Sequence, residues 1–124
     1  MFRSSLVAIG GLIGSLARYW ITGYVQQLAG AEFPLGTLTV NALGSFILGV
    51  IAALSMERGV LTQEARIFLG VGFCGGFTTM SAFSYESVAL MRDGSFLSAF
   101  WNVSATILSS FVGVWLGGAL GRFV

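Results

Sequence analysis

The sequence divides into four apolar runs, at roughly residues 4–28, 34–56, 63–91 and 96–121, parted by three short polar links. Each run reaches the ~20 residues that a helix needs to cross the hydrocarbon core of a bilayer. Only 9% of the 124 residues are charged and 56% are apolar. An ordinary soluble domain carries about a quarter charged residues, and so short a chain could not hide this much apolar surface in one core. The expected fold is therefore an all-α membrane protein of four transmembrane helices, with residues 1–124 forming a single transmembrane domain. The links leave no room for a soluble domain, so any function sits within the helices or at their mouths.

Several classes drop out on composition. A net charge of +1 without any basic run excludes nucleic acid as a partner, because phosphate binding needs clustered Arg and Lys. Cys74 is the only cysteine, which leaves neither a disulfide framework nor a thiol pair for a metal; it reads as a small buried hydrophobe. Histidine and lysine are absent and Glu86 has no second acid beside it, so the machinery of an enzyme is missing. The start, Met1 to Arg3 before an apolar run, has the outline of a signal peptide. No A-x-A cleavage pattern follows and Arg18 interrupts the run, so it reads as a mature helix.

The links carry helix punctuation. Pro34 suits the first turn of the second helix, where its missing N–H would be unpaired anyway; residues 56–59 and 92–94 form polar stops. An even number of spans puts both termini on one side. That side holds Arg3, Arg58, Arg66 and Arg122 and the other holds Arg92, a bias toward cytoplasmic termini without the dense basic cluster that fixes orientation strongly.

Polar residues at membrane depth are the candidates for function. In GVGFCGGFTTMSAFSYE, glycines 70, 72, 75 and 76 run into Thr78, Thr79 and Ser81. Glycine disfavours a helix by about 1 kcal/mol against alanine, and the hydroxyls compete for backbone partners. A break in the third helix is expected, with freed backbone groups buried in protein or lining a hydrated cavity; the plainer reading is a kinked helix whose hydroxyls bond to its own carbonyls. In the second run Asn41 lies deep, with Thr37 one turn earlier on the same face. Asn102, Thr106 and Ser110 recur every fourth residue and draw a polar stripe down the fourth helix. Neutral donors of this kind suit a small anion that must be partly dehydrated, bound and released; they equally suit hydrogen bonds to a neighbouring helix. Arg18 and Glu86 are the most deeply placed charges, and intramembrane charge is a functional signal by default, although Arg18 could snorkel to an interface and Glu86 could serve as a hydrogen-bond partner. The closely spaced glycines, such as 10, 11 and 14 or 113, 117 and 121, read as helix-packing positions.

Three motifs, GGLIGSLARYW, GTLTVNALGSFILG and GFCGGFTTMSAFSYE, in this order across nearly the whole chain, closely resemble the CrcB/Fluc fluoride channel family. The resemblance implies a passive, fluoride-selective ion channel of the bacterial inner membrane, which exports fluoride and lowers its toxicity. It implies a homodimer in lipid with subunits in opposite orientations, an antiparallel dual-topology arrangement. In such channels the asparagine matching Asn41 faces the pore, and two phenylalanines of a TTFSxF motif line the ion path with the electropositive edges of their rings. Phe83 matches the second; Met80 stands at the first, and a thioether has no ring quadrupole to offer an anion. Conduction of fluoride with altered rate or selectivity is the expectation. The same resemblance assigns a structural, untransported Na+ to backbone carbonyls of Gly75 and Thr78, makes Arg18 a vestibule residue, and gives Thr37, Asn102, Thr106 and Ser110 as the polar track; Ser81 is also placed on the ion pathway, with Thr79 and Glu86 nearby.

The competing reading is a small multidrug-resistance-type exporter, which shares length, four helices and dual topology. Such exporters need an acid deep in the first helix, where this chain has Arg18. A packing subunit would explain the glycines but not the third run or the stripe.

Overall fold

The computed structural model describes residues 1–30 and 32–124. All regular structure in it is helical, and four helical spans are long and apolar enough to cross a membrane: Phe2–Ala29, Leu35–Glu57, Gln63–Arg92 and Phe96–Phe123.

Helix α1 (Phe2–Ala29) ends on Gly30, whose φ of 60° lets its N–H cap the Gln26 carbonyl, a left-handed closure that suits glycine. Pro34 stands one position outside α2 (Leu35–Ala52), as the residue preceding its first turn. The free N–H of Gly36 is satisfied from α1 instead: Gln26 accepts it at 3.1 Å while donating to the Phe33 carbonyl at 2.9 Å. Past Ala52 the helix widens into π-helical turns, Ala53–Glu57, and the chain reverses at Gly59.

The third span is composite. Thr62 caps its start by accepting from the Ala65 N–H. A short α3 (Gln63–Arg66) passes into a π-helical stretch, Ile67–Cys74, and then α4 (Gly75–Phe77). Thr78 and Thr79 have extended backbones, with φ, ψ of −89°, 160° and −152°, 115°, before α5 (Met80–Arg92) begins. A turn at Gly94 leads into α6 (Phe96–Phe123).

Packing is backbone against backbone. A Cβ on Gly14 of α1 would overlap the Phe73 carbonyl, and one on Gly117 of α6 would overlap the Phe46 carbonyl in α2. Without a hydrophobic drive between helices in lipid, this close approach supplies the dispersion that holds them. Burial is correspondingly inverted: large apolar side chains such as Trp20, Phe100, Trp115 and Leu108 face outward, whereas Thr37, Asn41, Ser87, Asn102 and Thr106 are buried. Such a surface suits hydrocarbon as solvent, and the chain is a multi-pass membrane protein.

Candidate ion pathway

The interruption at Thr78 and Thr79 takes several backbone groups out of the helical ladder, and named side chains meet them. In an uninterrupted α-helix each N–H bonds the carbonyl four residues back. The Thr79 N–H goes instead to Asn41 Oδ1 at 2.8 Å, and Asn41 Nδ2 donates to the Thr79 carbonyl at 3.1 Å. Asn41 thus engages both polar groups of one residue, as a neighbouring strand would. The Ala82 N–H goes to Thr79 Oγ1 at 3.2 Å, which caps α5. Arg18 Nε donates to the Gly76 carbonyl at 3.0 Å. Gly14 seats α1 on the third span, and Arg18 lies one turn further on the same face.

Diverting those two N–H groups leaves the Gly75 and Thr78 carbonyls without their helical donors. Thr78 itself bonds backward, with both N–H and Oγ1 on the Cys74 carbonyl at 3.0 Å. The space beside Gly75 is open.

A cavity of about 350 Å³ lies against this break; Asn41, Thr79, Met80, Phe83, Thr106 and Ser110 are among its walls, as are Gly75 and Thr78. Phe83 is 8% exposed and Met80 73%, so the phenylalanine forms the inner wall and the methionine the open side. Thr106 is 5% exposed, and its hydroxyl is buried with no hydrogen-bond partner. A buried, unpaired hydroxyl is unfavourable; Thr22 carries the other one found among the described residues.

A second hollow of about 320 Å³ is bounded by Arg18, Tyr19, Thr37, Thr79 and Glu86. It shares Thr79 with the first. A third, of about 480 Å³, shares Thr22, Thr37 and Glu86 with the second and adds Glu32 and Asp93 near the link ends. The hollows therefore follow one another from the Glu32 and Asp93 end to the break. Thr37 donates to Glu86 Oε1 at 2.7 Å, tying α2 to α5.

Ser81 and Asn102 stand apart from these walls. Ser81 is exposed and pairs with Thr79 Oγ1 at 3.2 Å. Asn102 is 1% exposed and donates to Ser87 Oγ at 2.9 Å. Ser87, Gln26 and the Gly76 carbonyl were not singled out from sequence. Ser87 was findable, because it lies one turn after Phe83 on the same face of α5.

Against known families, residues 5–118 match the model of the CrcB-like proteins, described as camphor resistance (CrcB). The chain belongs to that family. Among its relatives, a fluoride-specific ion channel, FluC, from Thermus thermophilus is 51% identical over 122 residues, which covers 95% of each chain. FluC of Pyrococcus abyssi is 49% identical over 117 residues, 94% of each chain. FluC of Geobacter sulfurreducens is 46% identical over 111 residues, 90% of each chain.

Proposed function

We propose that this CrcB-family chain is an ion channel, not an enzyme, and that it conducts fluoride passively and selectively out of the cell through the inner membrane of a bacterium. The cavity walled by Asn41, Phe83, Thr106 and Ser110, with the Thr106 hydroxyl unpartnered at its wall, carries this reading. Fluoride is small and strongly hydrated, so a pathway must replace its water with fixed donors yet hold it weakly enough to let it go. Hydroxyls and amides do this without a formal charge that would trap the anion. Thr106 and Ser110 offer hydroxyls. Asn41 retains one Nδ2 proton beyond its bond to Thr79, and the Phe83 ring presents a positive edge. Met80 fills the corresponding place at the open side without a ring, so rate or selectivity shifts while conduction persists.

The working unit in this reading has a broken third helix and is a homodimer of subunits inserted in opposite orientations. The exposed Gly75 and Met80 at the cavity's open side support a second copy there, because polar groups at a break do not persist against lipid. The Gly75 and Thr78 carbonyls, each deprived of its helical donor, fit a hard cation, which takes oxygen ligands. Sodium held by these carbonyls from both subunits would fasten the two breaks together without being transported. Arg18 anchors the half-helix end and lends positive charge to the outer hollow, where an anion enters.

The test is efflux from liposomes holding the purified protein, read with a fluoride electrode, with valinomycin to clamp voltage and a chloride control. Rapid fluoride loss with chloride retained is the expected result. Folded, dimeric protein that releases no fluoride would overturn the reading.

A further inference from the structure

The polar stripe Asn102, Thr106, Ser110 shares one helix face, yet its members do different things. Thr106 and Ser110 wall the cavity; Asn102 does not. Its amide turns to Ser87 on α5, where both residues are almost fully buried. The chain of donors has a fixed direction. Ser87 Oγ spends its single proton on the Phe83 carbonyl at 2.8 Å, so it can only accept from Asn102 Nδ2. This is the only side-chain hydrogen bond between α5 and α6 among the described residues.

We infer that Asn102 is a positioning residue: through Ser87 it locks the rotation of α6 on α5 and so sets Phe83 opposite Thr106, without touching the ion itself. This rests on the reading that fluoride passes between those two residues. The geometry argues for it on three counts. Phe83 lies one turn from Ser87, and Thr106 one turn from Asn102, so one bond governs how the two pathway residues face each other. A serine that bonds the carbonyl four residues back bends its helix locally, and the carbonyl concerned belongs to Phe83. Finally, Gly113 and Gly117 seat α6 on α2, whereas toward α5 its one side-chain hydrogen bond among the described residues is this one.

The experiment compares wild type, Ser87→Ala, Asn102→Leu and the double variant, full length and in liposomes, by fluoride efflux, chloride leak and dimer elution. Leucine nearly preserves volume, and the double variant leaves no polar partner stranded. Each single variant is expected to slow fluoride efflux about tenfold and to admit more chloride, whereas the double is expected to be no slower than either. Losses that multiply, to about a hundredfold in the double, would mean that Asn102 serves the ion independently, and would overturn the inference. So would a wild-type rate in either folded single variant. Should a single variant not fold, Ser87→Cys supplies the graded test: a weak sulfur partner should give an intermediate rate, and an unchanged rate counts against the proposal. A wild type that passes no fluoride is a different failure, since it removes the channel reading beneath.

Discussion

Ahead of Thr78 the third span lies on α1 with glycine against backbone: a Cβ on Gly10 would overlap the Phe68 carbonyl and one on Gly14 the Phe73 carbonyl. Beyond Thr79, α5 is instead tied by side chains, with Glu86 bonded to Thr37 of α2 and Ser87 to Asn102 of α6. Shape holds the first half; directional bonds hold the second. A backbone contact tolerates no added atom, because neither partner can rotate away. A hydrogen bond can be weakened by degrees, which suits the adjustable wall of the proposed pathway. The two regimes meet at Thr78 and Thr79, where Asn41 and Arg18 take over the groups that neither half satisfies.

Substitutions separate the regimes, and the largest effect belongs to the first. Gly14→Leu drives a side chain into the Phe73 carbonyl. Overpacking usually costs about 1–3 kcal/mol, and more when the backbone itself must move. Monodisperse protein should be lost on size exclusion; a normal elution profile would show that α1 can lift off the third span. Asn41→Ala tests the junction. It strands the Thr79 N–H and carbonyl at about 1–3 kcal/mol each, so fluoride efflux should fall about a hundredfold, with faster hydrogen exchange at the Thr79 amide, while the protein still elutes folded. Collapse of this variant like the glycine one would mean that the two halves are not separable. Met80→Phe is the mildest. It places a ring with a positive edge at an exposed position, so a few-fold change in fluoride rate should come with an unchanged melting temperature. Identical currents would show that the ring is dispensable there.

The four spans were legible because hydropathy is a sum over many residues and tolerates local error. Deep polar positions were legible too, since a Thr, Asn or Arg in an apolar run stands out singly. What those side chains do was less so. A four-residue period places Asn102 and Thr106 on one face, yet only the position of α5 shows that the first meets a serine, while the hydroxyl of the second is buried without a hydrogen-bond partner. Arg18 left two readings open, and its partner is a backbone carbonyl, which has no signature in the sequence. The π-helical stretch Ile67–Cys74 was illegible for a related reason. Residue propensities describe single positions, whereas that widening accompanies the seating of Gly72 against Gly10 on another helix. Gln26, which satisfies the start of α2 from α1, escaped notice because a polar residue near a span's end looks interfacial.

The walls of the cavity beside the break include no Asp, Glu, Lys or Arg. A side chain must carry charge to be displaced by the membrane potential, so these walls hold nothing that could act as a voltage sensor. In the proposed channel, opening at this cavity should therefore be independent of holding potential, read as a fluoride current that does not relax with time after a voltage step.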